Sequence, residues 1–174
     1  IFVGGEIGPD EDMADTQAQQ LLQILENLAN GRTGEALSEL QLILARQPDH
    51  GRAQALYGHI LFRRLNDFTA AEDAFRIAMR TAPAYPDLYI DYGELLLRLD
   101  KATETVAILN RALEVPGVEK DKIFRIFSQL YERQAKWDDA LEYNAKALMF
   151  TLDAGFLEIC RQDAERIRIK MSLQ

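Results

Sequence analysis

The feature that most limits what this chain can fold into is a spacing. Four short segments align on Ala36, Ala71, Thr105 and Ala140, at intervals of 35, 34 and 35 residues. Two further columns keep the same period: Leu40, Phe75, Leu109 and Asn144, then Ile43, Ala78, Ala112 and Ala147. A unit of this length holds two helices and a turn, and it buries its apolar face only by stacking on its neighbours. Pro48, Pro83 and Pro116 fall where the second helix of the first three units should stop. Proline lacks an amide donor and clashes with the preceding turn. Asn30-Gly31-Arg32, Leu65-Asn66-Asp67, Leu99-Asp100-Lys101 and Gln134-Ala135-Lys136 lie where the helices of each pair should join.

Residue types agree with this reading. Glycine and proline are scarce, at 10 and 5 of 174 residues, and Ala, Leu, Gln, Glu and Arg dominate, which favours helix. Ala71, Ala78, Ala112, Ala140 and Ala147 are small enough to let helices approach closely. Gly58 and Gly93 would do the same inside first helices, at a propensity cost of about 1 kcal/mol each. Tyr57, Phe68, Phe75, Tyr89, Tyr92, Phe124, Phe127, Tyr131 and Trp137 supply bulk at helical spacing and are read as core.

These signatures resemble the tetratricopeptide repeat (TPR) family. The third unit matches best, with Tyr89, Tyr92-Gly93, Leu96, Thr105, Leu109, Ala112-Leu113 and Pro116. The second offers Tyr57-Gly58, Phe68, Ala71, Phe75, Ala78 and Pro83; the fourth offers Phe124, Phe127, Tyr131, Trp137, Ala140 and Ala147-Leu148. The first is degenerate, as terminal repeats often are. The resemblance implies an all-α, right-handed α–α superhelix of four helix pairs, over residues 16–48, 50–83, 85–117 and 119–150, with a concave groove. In the second unit Gly58 stands one residue too far from Phe68, and a longer turn near Leu65–Asp67 is expected to absorb the surplus. Thr105 and Asn144 are weaker than the family's usual residues at their positions.

Outside the repeats, residues 151–174 are expected to form a capping helix. Leu152, Phe156, Ile159, Cys160, Ile167 and Met171 would share its buried face, with Arg161, Asp163, Glu165, Arg166 and Arg168 on the rest. Leu157, Ile169 and Leu173 lie off that face. Residues 1–14, with Gly4-Gly5 and Gly8-Pro9, read as an acidic extended or disordered arm, or as a strand of Ile1–Val3 docking on a neighbouring copy.

Net charge is −8, and five acids with no Lys or Arg lie in residues 1–15. The body is nearly balanced, which disfavours nucleic acid and anionic membranes. Cys160 is the only cysteine, and His50 and His59 are the only histidines, so neither a disulfide nor a metal site is expected. Glu72-Asp73 and Asp138-Asp139 are read as first-turn acids that suit the helix dipole. Gly4-Gly5-Glu6-Ile7-Gly8 lacks the ending of a phosphate loop. No cofactor and no catalytic group are expected. No apolar run is long enough to span a membrane, and a cytoplasmic location is the expectation.

One register position carries a row of arginines: Ala29, Arg64, Arg98 and Arg133 in the four units. The resemblance places this position in the concave groove, with Arg63, Arg125, Glu94 and Gln129 nearby. Guanidinium forks bind carboxylates in a bidentate fashion. The expected function is a non-enzymatic protein-interaction scaffold holding a peptide or partner protein in the groove, and the functional reading of the arginine row is recognition of an acidic segment or a C-terminal carboxylate. The competing reading is a solvated row paired with acids such as Glu94 and Glu132. The lysine–asparagine clamp that some family members use for chaperone tails is not expected, because Leu21 and Leu25 stand in its place. The alternative function is a self-associating subunit using the terminal helices, with Leu21, Leu25 and Leu28 of the first unit among the contacts.

Overall fold

The computed structural model describes the backbone from Pro9 to Gln174 and side chains from Met13 onward. The described residues are helical, with α1 Pro9–Ala29, α2 Thr33–Arg46, α3 Gly51–Ile60, α4 Phe68–Thr81, α5 Pro86–Arg98, α6 Ala102–Leu113, α7 Lys120–Arg133, α8 Trp137–Phe150 and α9 Ala154–Ser172. A π-turn, Leu61–Leu65, continues α3. The chain divides into two compact units, one ending at Thr81 and one spanning Ala82–Gln174. In the first unit α1 pairs with α2 and α3 with α4; in the second α5 pairs with α6 and α7 with α8.

The arm expected over residues 1–14 is corrected in part. Helix begins at Pro9, in a Pro-Asp-Glu-Asp sequence of the kind that starts helices, since proline pre-sets φ and acids suit the N-terminal dipole. The suggested docking of Ile1–Val3 lies outside the described residues.

Each pair closes the same way. The joining residue takes a left-handed conformation, at Gly31 (φ 75°), Asn66 (φ 55°), Asp100 (φ 60°) and Ala135 (φ 55°). The next amide donates to a carbonyl five residues back, in Arg32 to Asn27, Lys101 to Leu96 and Lys136 to Tyr131. These bonds satisfy carbonyls orphaned at the helix end. In the second pair the equivalent bond, Asp67 to Leu61, spans six residues. The surplus residue is thus absorbed inside the first helix, by the π-turn, and not by the longer turn expected at Leu65–Asp67. The turn itself keeps its form because Asn66 holds the left-handed position and Asp67 caps α4 through the Ala70 amide at 3.1 Å. That cap starts α4 at Phe68, so Glu72 and Asp73 lie in its second turn and not its first; Glu72 pairs with Arg76 at 2.6 Å.

The core of each pair is one crossing of a first-helix residue with a second-helix residue. A Cβ on Gly58 would stand 2.6 Å from Phe75 Cε1, and one on Gly93 would stand 2.9 Å from Leu109 Cδ2. Glycine is required there because the neighbouring side chain occupies its space. In the first unit the apolar cluster of Leu21, Ile24, Leu28, Ala36, Leu40, Ala53, Leu56 and Ile60 carries the packing of α1, α2 and α3. In the fourth pair the same columns hold Ser128 and Asn144. Ser128 donates to the Ala140 carbonyl at 2.7 Å, while Asn144, 1% exposed, has neither amide atom bonded to a protein group.

Two substitutions should therefore move stability in opposite directions, read by urea denaturation. Gly58→Ala gains helix propensity but drives a methyl into the Phe75 ring, and a net loss of about 1–2 kcal/mol is expected. Asn144→Leu removes two unbonded buried polar atoms and should add about 1–3 kcal/mol.

Candidate functional site

The arginine row has a distinct setting in each unit. In the second unit Arg98 and Arg133 are the last residues of α5 and α7 and both are exposed. Arg133 Nη1 donates to the Leu97 carbonyl, which is among the last carbonyls of α5, so the cation sits at the negative end of that helix. This bond brings Arg133 to the residue next to Arg98. Glu94 and Gln129 lie one turn earlier on the same two helices and are half-buried. In the first unit Arg63 and Arg64 both fall within the π-turn and are exposed. The Arg63 guanidinium lies 4.7 Å from the centroid of the Phe62 ring.

Arg125 has another partner. Its Nε donates to Asp163 Oδ2 on α9 at 2.7 Å. Asp163, 4% exposed, also accepts from Arg166 Nη1 at 2.7 Å. Arg166 reaches Glu132 on α7 through Nε at 2.8 Å and Nη2 at 2.7 Å, and Lys170 Nζ adds a bond to Glu132 at 2.8 Å. Two carboxylates and three cations thus fasten α9 to α7. The hydrogen bond from Arg166, with help from Lys170, holds the Glu132 carboxyl below its ordinary range even though burial pushes the other way. The same pairing raises Arg166.

The sequence pattern placed Asp163 and Arg166 on a solvated face of the cap helix; the structure makes them its fastening. The missed signal is an acid within the apolar face of Cys160, Ala164 and Ile167, which are all buried. Leu152, Ile159 and Met171, expected on that face, are exposed. Leu152 precedes the Asp153 cap of α9 and so lies outside the helix, and the other two lie beyond the stripe that faces the bundle. Leu157, Ile169 and Leu173 are exposed. Burial pushes the Cys160 thiol up, so it stays protonated and behaves as a small apolar group. His50 caps α3, its Nδ1 accepting from the Ala53 amide at 3.2 Å.

Beside this network the aromatics of the fourth pair form a partly exposed stack. Phe150 lies 5.4 Å from Phe124, and Tyr143 lies 4.7 Å from Phe127 and 5.3 Å from Tyr131. Lys146 stands 4.4 Å from the Tyr143 centroid. In the first unit an open cleft of about 440 Å³ runs between α1 and α2, lined by Met13, Gln17, Ile24, Leu42, Ile43 and Arg46 among others.

A model of the tetratricopeptide repeat matches residues 21–86 and 60–119. The chain belongs to the tetratricopeptide repeat family. A curated relative, the protein O-mannosyl-transferase Tmtc1 of Drosophila melanogaster, is 31% identical over 91 residues, which is 47% of this chain and 11% of that protein. This chain therefore spans about a tenth of that relative. Among solved structures, that of Pseudomonas aeruginosa pilF superposes with a TM-score of 0.78 at 18% identity, over 91% of this chain and 70% of that one. YrrB, a TPR protein with an unusual peptide-binding site, gives 0.67 at 16% identity, over 88% and 76%. PilW, a widely conserved type IV pilus biogenesis factor, gives 0.67 at 17% identity, over 87% and 77%. At these identities the likeness shows the fold, and that fold class is the all-α superhelix of TPR proteins.

TPR proteins bind protein partners and are ordinarily non-catalytic scaffolds. Among the described residues no three of His, Cys, Asp and Glu gather to hold a metal ion, and no helix is long and apolar enough to cross a membrane.

The Glu132 network gives a pH signature. Its folded pKa lies below the ordinary value of 4.5, so its contribution is fully present above that value and is lost as pH falls through the folded pKa. Glu132→Gln should cost about 1–2 kcal/mol near pH 7, the exposed cations limiting the effect. The wild-type advantage over the variant should shrink below about pH 4.5. Urea denaturation of both proteins across pH 3–7 measures this, and hydrogen exchange should show α9 amides exposed first.

Proposed function

We propose that this chain is a non-enzymatic protein-binding module that takes an acidic peptide segment through the arginines ending its first-of-pair helices. The observation that carries the reading is the pairing in the second unit. Arg98 and Arg133 stand exposed at equivalent helix ends, and Arg133 is anchored beside Arg98 by its bond to the Leu97 carbonyl. A guanidinium has five donors, and that bond uses one. Glu94 and Gln129, one turn earlier, would read the peptide's basic or amide groups. Arg125 would act indirectly, by holding α9 through Asp163. The resemblance to YrrB, described as having a peptide-binding site, fits the same class of function.

A second reading is self-association, favoured by the apolar side chains left exposed around the end of α8 and the end of the chain. Met149 is 82% exposed, Leu173 79% and Leu152 fully so. Light scattering on a concentration series separates the two: a monomer at high concentration removes the second reading.

The first reading is tested by fluorescence anisotropy with a labelled Glu-rich decapeptide, wild type beside an Arg64/Arg98/Arg133→Glu variant shown to be folded by circular dichroism. Binding should fall at least about tenfold in the variant and weaken with salt. Equal affinity in the two proteins would show that the row is a solvated face.

A further inference from the structure

Helix α1 is apolar on two faces. Leu21, Ile24 and Leu28 are buried in the cluster with α2 and α3. Ala18, Leu22, Leu25 and Ala29 lie on another side and are exposed, Leu22 at 65% and Leu25 at 40%. Their spacing of four, three and four residues is that of a seam between two helices, where every third or fourth residue meets the partner.

This face lacks the chemistry of a solvated one. From Thr16 to Leu25 the helix carries no charged residue, although exposed helix faces ordinarily carry charge and the cores of interfaces are depleted of it. Comparison with the later pairs sharpens the contrast. Counted from the crossing residue, the position of Ala18 holds Arg52, Asp87 and Lys122 in those pairs, and that of Leu25 holds His59, Glu94 and Gln129. Ala29 stands in the arginine column. The first unit thus has apolar residues where the others are polar.

The ends of the seam identify what covers it. Asp15 lies seven residues before Leu22, and Arg32 lies seven residues after Leu25. Asp15 is exposed on α1, and Arg32 follows the joint at Gly31. Arg32 also approaches Glu35 at 3.6 Å, an exposed pair that holds it only weakly. When two copies of α1 lie antiparallel, with Leu22 of one against Leu25 of the other, each layer matches. Ala18 then meets Ala29, and Asp15 meets Arg32, once at each end. A parallel arrangement would set Asp15 against Asp15 and Arg32 against Arg32, and like charges repel.

We infer that α1 is a dimerisation helix, its stripe of Ala18, Leu22, Leu25 and Ala29 pairing antiparallel with the same stripe of a second copy of this chain. Two helices meeting along so few residues make a small interface, so the dimer is weak and reversible. It stands apart from acidic-peptide binding, and its surface is distinct from the apolar residues at the end of the chain.

Sedimentation velocity on wild type between about 5 and 500 µM should show a monomer giving way to a dimer. Leu22→Glu sets a charge in the middle of the seam at an exposed site, and should weaken association at least about tenfold. Leu173→Glu, at the chain end, should leave it unchanged. Asp15→Arg and Arg32→Asp should each weaken it about threefold at low salt, and the double variant should regain wild-type affinity to within about twofold, because the swap restores both end pairs. Circular dichroism checks the fold of each variant. Wild type monomeric throughout would overturn the inference. So would a dimer that survives Leu22→Glu and is lost in Leu173→Glu, which would move the contact to the chain end. A folded double variant as weak as the single ones would overturn the antiparallel pairing, and this arm carries the test alone if Leu22→Glu does not fold.

Discussion

Every helix pair in this protein turns on one crossing, where a residue in the middle of the first helix meets a residue in the middle of the second. The helices can approach only as far as those two side chains allow, and protein interiors tolerate neither overlap nor void. Glycine opposite phenylalanine and glycine opposite leucine are two solutions. Ile24 and Leu40, both fully buried in the first pair, share a cluster with no small residue in the glycine column. Serine and asparagine in the fourth pair are a polar variant, and only the serine finds a hydrogen bond. The fixed spacing of the crossings is why the chain has a period at all.

The fourth pair compensates for its weaker crossing on other sides. Its aromatic rings stack across α7 and α8, and α9 is held to α7 by the network around Glu132 and Asp163. Each carboxylate there is nearly buried and accepts from at least two donors, which is the condition under which a buried charge is tolerated. The same network commits Arg125, whereas Arg98 and Arg133 end their helices exposed.

In the proposed binding role, Arg133 would serve as a structural residue as well. Arg133 completes the end of α5 and is thereby held in place, and a side chain already ordered loses less entropy when it binds.

The sequence by itself determined the period, the helix pairs, the joints and the register of Arg64, Arg98 and Arg133. These are local or periodic properties, set by propensity, turn chemistry and the recurrence of small and large residues. It also revealed that the second pair holds one residue too many. Where that residue goes is seen only in three dimensions: Asn66 keeps the left-handed joint, and the surplus lies in the π-turn closed by the Asp67 to Leu61 bond. Tertiary structure likewise decided that Asp163 and Arg166 face α7 and that Leu152, Ile159 and Met171 face water. An amphipathic pattern states which residues share a stripe but not which stripe a neighbour covers, and long charged side chains reach partners more than thirty residues away in sequence that no local spacing records.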